Sequence, residues 1–162
     1  LDKADFVARY GSVFEHSPWI AERAWEGELA PVNDTAIGLQ FALRCQFRMA
    51  SHDERLAVLR AHPNLAGKLA AAQRLTEAST AEQASAGLDA LTDGERQRFT
   101  MLNTAYVDKF GFPFIIAVRD NTKASILAAF ETRLKNTPEA EFATACAQVE
   151  RIALLRLTAL LP

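Results

Sequence analysis

Apolar residues recur every three or four positions along most of this chain, and the polar residues between them supply start and stop signals for helices. Ser17 followed by Pro18 opens a helix carrying Trp19, Ile20 and Trp25, since proline suits the first helical position. Asp34 is read as the cap of a second helix, whose face includes Ile37, Phe41 and Cys45. Ser51-x-x-Glu54 has the spacing of a capping box and precedes Leu56 and Leu59. A short helix is expected after Gly67. Thr92-x-x-Glu95 is another capping box, opening a long helix through Phe99, Leu102, Tyr106 and Phe110, with Gly111 placed to end it. Residues 122–134 read as a helix with Ile126, Leu127 and Phe130 inward. Thr137-Pro138 starts the last one, which carries Phe142, Cys146, Val149, Ile152 and Leu155. Residues 75–91, rich in Ala, Ser and Thr with few large apolar groups, read as a mobile surface loop. No repeat, low-complexity tract or linker interrupts the pattern. It predicts an all-α fold, one domain over residues 1–162, of about seven to nine helices.

One stretch departs from this rhythm. In "GFPFIIAVRD", five apolar residues, Phe114, Ile115, Ile116, Ala117 and Val118, run without a break and stop at Arg119. Gly111 and Pro113 exclude a helix there, and no second run of β character exists to pair with it. The apolar side chains favour burial, which takes the backbone N–H and C=O groups inside with them, and those groups need partners. Nearby loops, ordered water, or a polar ligand lying along the segment would each serve. A small heterocycle edged with amide-like donors and acceptors suits such a backbone, and Arg119 could clamp a carboxylate or carbonyl. A plain internal linker remains an equal alternative.

Three histidines stand among the polar residues. His62 precedes Pro63, and a residue before proline is pushed out of the α conformation, so the helix from Ser51 should end here with the imidazole on a bend. Histidine suits proton transfer near neutral pH, although a helix-capping role fits these facts as well. His16 and His52 lie beside helix starts and read as surface or capping residues. Ser79-x-x-Glu82 has capping-box spacing too. A helix start would lower the pKa of Glu82, whereas a proton donor wants it raised.

Composition narrows the function classes. Hydrophobic residues make up 49% and charged residues 23%, an ordinary globular balance. A net charge of -2 gives no reason to expect nucleic acid or an anionic membrane as partner. No apolar run approaches bilayer-spanning length. The two cysteines, Cys45 and Cys146, lie far apart on separate helices and read as buried free thiols. No H-E-x-x-H, C-x-x-C, G-x-G-x-x-G or phosphate-loop spacing occurs, so neither a metal nor a nucleotide site has support.

Taken together, "FVARYGSVFEHSPWIAERAW", "AHPNLAGKLA", "STAEQASAGLDALTDGE" and "LNTAYVDKFGFPFIIAVRDNT" resemble the 2-oxo-4-hydroxy-4-carboxy-5-ureidoimidazoline (OHCU) decarboxylase family of urate degradation. The resemblance runs in the same order from about Phe6 to the final helix. It implies an all-helical homodimer that needs no metal or organic cofactor and turns OHCU into (S)-allantoin. It assigns catalytic roles to His62 and Glu82, with Arg119 offsetting negative charge. Substrate contacts are implied at Pro63, at Ser79, Thr80, Ala81, Glu82 and Gln83, and along the backbone of Phe114, Ile115, Ile116, Ala117 and Val118. The substrate carries hydroxyl and carboxylate on one ring carbon beside a C=N bond, so it supplies its own electron sink. No signal peptide is evident, and the sequence ends Leu-Leu-Pro rather than in a peroxisomal address, so a cytoplasmic enzyme is expected. Two rivals stay open: a relative acting on another ureido or imidazole compound, and a catalytically silent helical binding module.

Overall fold

The structure, a computed structural model, describes residues 1–66 and 75–161. Among them are eight α-helices and no strand: α1 (Lys3–Tyr10), α2 (Trp19–Glu26), α3 (Ala36–Met49), α4 (His52–Ala61), α5 (Glu77–Ser85), α6 (Asp93–Phe110), α7 (Lys123–Arg133) and α8 (Pro138–Leu160). Two short 3-10 turns, Pro31–Asp34 and Val118–Asp120, complete the regular structure. The all-α expectation holds. The short helix expected after Gly67 lies outside the described residues.

Helix starts follow the local chemistry closely. At α4 the Glu54 N–H donates to Ser51 Oγ at 3.1 Å, and the Ser51 N–H donates back to Glu54 Oε1 at 3.2 Å. Thr92 and Glu95 repeat this exchange at α6, at 3.2 and 3.0 Å. Thr122 and Thr137 cap α7 and α8 by accepting from Ser125 and Ala140, each at 3.2 Å. Each such cap satisfies N–H groups that the first helical turn leaves without partners. Gly111 ends α6 with φ 78°, a left-handed conformation that disfavours any side chain with a Cβ.

Four expectations are corrected. Asp34 ends a 3-10 turn, and Thr35 caps α3 instead, accepting the Gly38 N–H at 3.0 Å. The inward face of α3 is Ala36, Leu39, Gln40, Leu43 and Phe47, while Ile37 is 74% exposed and Phe41 55% exposed. Both stripes have helical spacing, so periodicity alone does not choose between them. Ser17 caps nothing; its hydroxyl donates to the Glu15 carbonyl at 2.9 Å, and α2 starts after Pro18 without a side-chain cap. Residues 75–91 are not a loop, because α5 occupies their middle, capped by Thr76. Its inward residues are Ser79 and Gln83, so its buried face carries no large apolar group for a pattern to reveal.

Contacts divide the chain into two compact units. The first comprises Leu1–Ala61 and the chain from Val149 onward. Its core includes Phe6, Phe14, Ile20, Leu43, Phe47, Val58 and Leu59, with the Phe14 and Phe47 rings 5.5 Å apart. Within it, Arg48 forks onto Glu150 at 2.6 and 2.9 Å, and Arg156 reaches the buried Glu15 at 2.7 Å. The second unit is His62–Gln148. Phe99, Tyr106, Phe112, Phe114, Ile126 and Phe130 fill its core, and the Phe114 and Phe130 rings stack at 3.7 Å. Cys45 and Cys146 are both free thiols; Cys146 is buried as expected, whereas Cys45 is only half-buried. No helix among the described residues is long and apolar enough to cross a membrane.

Candidate functional site

His62 is the residue at which α4 stops. Pro63 bars the α conformation at that point, as the sequence implies, and the imidazole is buried, with 5% of the residue exposed. The chain then runs through buried Asn64, Leu65 and Ala66, the last with φ 47°, an unfavourable left-handed conformation for alanine. Two amide side chains hold this bend. Gln83 Nε2 donates to the Asn64 carbonyl at 3.2 Å, and Gln83 Oε1 accepts the Ala66 N–H at 3.1 Å. From α6, Asn103 Nδ2 donates to the Leu65 carbonyl at 2.6 Å and lies 3.4 Å from the Ala66 carbonyl.

Helix α5 joins this bend to the rest of the site. Gln83 points from it to the residues after His62, and the helix packs against the Val118–Asp120 turn that carries Arg119. Glu82, next to Gln83, is half-buried. The capping-box reading of Ser79 and Glu82 is wrong: Thr76 accepts the Ser79 N–H at 3.2 Å, and Glu82 is the sixth residue of α5. The supposed conflict between a capping and a catalytic Glu82 goes with it, since the helix-start effect fades beyond the first turn. Ser79 is buried, Pro63 half-buried, and Thr80 and Ala81 are exposed. The Thr80 hydroxyl turns back to the Thr76 carbonyl at 2.8 Å.

Phe114, Ile115, Ile116 and Ala117 lie in no helix or strand, Ala117 is extended, and Val118 begins the 3-10 turn; all five are buried. Several of their backbone groups have side-chain partners. Arg133 Nη1 donates to the Ile115 carbonyl at 2.7 Å. The Ala117 N–H donates to Gln148 Oε1 at 2.9 Å, and its carbonyl accepts from Asn121 Nδ2 at 2.8 Å. Phe114 and Ile116 differ: among the described residues neither residue's N–H nor its carbonyl makes a hydrogen bond. Arg119 is exposed, and among those residues its guanidinium makes no hydrogen bond or ion pair.

Behind this edge lies a buried polar network. Arg133 Nε and Nη2 meet Glu141 Oε1 at 2.7 and 2.6 Å, and the guanidinium lies 4.2 Å from the Phe114 ring centroid. Glu141 also accepts from the Tyr106 hydroxyl at 2.5 Å and from Asn136 at 3.0 Å. Burial, reinforced by the hydrogen bond to Glu141, raises the Tyr106 pKa well above its ordinary value, so the phenol stays a donor.

Sequence reasoning missed Asn103, Arg133, Glu141 and Gln148. A signal existed for three of them. Asn103 falls in register with Phe99 and Tyr106, Arg133 with Ile126 and Phe130, and Glu141 with Ala145 and Val149. A polar residue on a buried stripe needs a partner, and following that rule would have marked all three.

The sequence model of the family described as OHCU decarboxylase matches residues 1–158. The chain belongs to the OHCU decarboxylase family. An OHCU decarboxylase of Haloferax volcanii is 41% identical over 157 residues, covering 97% of this chain and 89% of that protein. One from Halalkalicoccus jeotgali is 43% identical over 156 residues, covering 96% and 85%. A crystal structure of (S)-allantoin synthase, 34% identical, superposes with a TM-score of 0.76 over 99% of this chain and 51% of that one. A crystal structure of OHCU decarboxylase in the presence of (S)-allantoin is 22% identical, with a TM-score of 0.71 over 99% and 98%, and shares the fold. As a member of that family, the chain is a carboxy-lyase.

Proposed function

We propose that this chain decarboxylates OHCU to (S)-allantoin in urate degradation, with His62, Glu82 and Arg119 as its working side chains. The observation that carries the reading is the convergence of α5 on two elements: the bend bearing His62, and the turn bearing an uncommitted Arg119. The bond from the ring carbon to the carboxylate breaks, carbon dioxide leaves, and the electron pair moves into the adjacent C=N. His62 hydrogen-bonds or deprotonates the hydroxyl on that carbon, favouring the loss. The enol-like intermediate then takes up a proton on one face of the neighbouring carbon while the hydroxyl carbon becomes a carbonyl. Glu82 orients the ureido end or takes part in that proton delivery. The Ile116 peptide offers the ring one free donor and one free acceptor, and Arg119 offsets the substrate's negative charge. Pro63 and the residues Ser79 to Gln83 line the same ligand in this reading.

Circular dichroism tests it. With substrate generated in place from urate by uricase and hydroxyisourate hydrolase, added protein should produce a rapid (S)-allantoin signal. A slow, optically silent decay equal to the protein-free control would overturn the assignment. In Arg119→Gln the loss of one charge-assisted contact should lower kcat/KM about ten- to a hundredfold. Family resemblance also supports a homodimer; light scattering should then give about twice the 17.8 kDa chain mass.

A further inference from the structure

Asn103 is fully buried on the stripe of α6 that also carries Phe99 and Tyr106. Its polar atoms do nothing for its own helix. Its Nδ2 reaches across to two successive carbonyls, Leu65 at 2.6 Å and Ala66 at 3.4 Å. Two acceptors on one side fix which end of the amide faces the bend, so Oδ1 points away. Among the described residues Oδ1 has no hydrogen-bond partner. An apolar residue of the same size would fill this space without burying a lone acceptor. What the amide provides in return is the conformation of Leu65 and Ala66, the latter held left-handed.

We infer that Asn103 is a positioning residue for His62, acting through the Leu65–Ala66 bend together with Gln83, an inference that rests on the catalytic role proposed for His62. The bend begins directly after the imidazole. Gln83 ties it to α5 and Asn103 ties it to α6, so the chain leaving His62 is fixed from two helices. A catalytic group aimed by its own rigid backbone needs such outer support, because small misplacements of a reacting group cost rate rather than binding.

The test is a double-mutant cycle between Asn103→Leu and His62→Ala, with kcat and KM measured separately and folding followed by far-ultraviolet circular dichroism. Asn103→Leu should lower kcat roughly tenfold to a hundredfold, with little change in KM. In the His62→Ala background the same substitution should cost almost nothing further, because the group it aims is gone. A folded Asn103→Leu protein with unchanged kcat would overturn the inference, as would losses that multiply independently in the double variant. Should Asn103→Leu fail to fold, Asn103→Ser, which keeps a short donor, carries the same cycle. If His62→Ala alone has no effect, the catalytic reading and this inference both fall. A damaging His62→Ala beside a harmless Asn103→Leu removes this inference alone.

Discussion

Replacing His62 with alanine is expected to slow turnover at least about a hundredfold, within the ~10²–10⁴-fold range of a positioned acid or base. The far-ultraviolet circular dichroism should keep its helical shape. The size of the effect follows from where the residue sits. His62 lies just past the last residue of α4, so its side chain is not needed to continue that helix. The bend after it is held by Gln83 and Asn103 acting on Asn64, Leu65 and Ala66, so removing the imidazole leaves the bend's own clamps in place. A structural histidine would behave the other way, with loss of helicity preceding or matching loss of rate. Chiroptical assay of (S)-allantoin formation, run beside a thermal melt, separates the two. An intact helical spectrum with an unchanged rate would remove His62 from the mechanism.

The helical frame was legible because its caps are local chemistry. Ser51 with Glu54, Thr92 with Glu95, Thr122, Thr137 and Gly111 each do what short-range spacing implies. The errors have physical reasons. Helix α3 is apolar on two faces, so the outward stripe of Ile37 and Phe41 was as plausible as the inward one. Helix α5 buries Ser79 and Gln83 rather than large apolar groups, and a composition reading took it for a loop. The roles proposed for His62 and Glu82 rest on a motif resemblance, not on spacing, because only the fold brings α5 to the bend after α4. The 114–117 segment is non-helical and buried, as Gly111, Pro113 and its apolar run imply, but its side-chain partners were not legible. Of the partners open to this backbone, protein side chains take several, since Arg133, Gln148 and Asn121 serve Ile115 and Ala117. Phe114 and Ile116 each retain both of their backbone groups among the described residues.

Arg133→Met should be the most destabilising single change in the second unit, costing about 3–5 kcal/mol, the usual penalty for leaving a buried charge without its partner. Glu141 is fully buried, and Arg133 is its counter-charge; Tyr106 and Asn136 would be left to solvate the carboxylate alone. The Ile115 carbonyl would lose its donor at the same stroke. Urea unfolding measures the loss, and a midpoint unchanged from wild type would show that the pair is not stabilising in this setting. The double variant Arg133→Met with Glu141→Leu sharpens the point. Replacing both ions removes the stranded charge, so stability should return in part, as buried pairs exchanged for apolar residues often allow. Activity should not return with it. Nothing in the double variant holds the Ile115 carbonyl, and the extended edge beside Ile116 loses the support of α7. Recovery of stability without recovery of rate would therefore assign this ion pair to the ligand edge. Recovery of both would reduce it to a packing feature of the core.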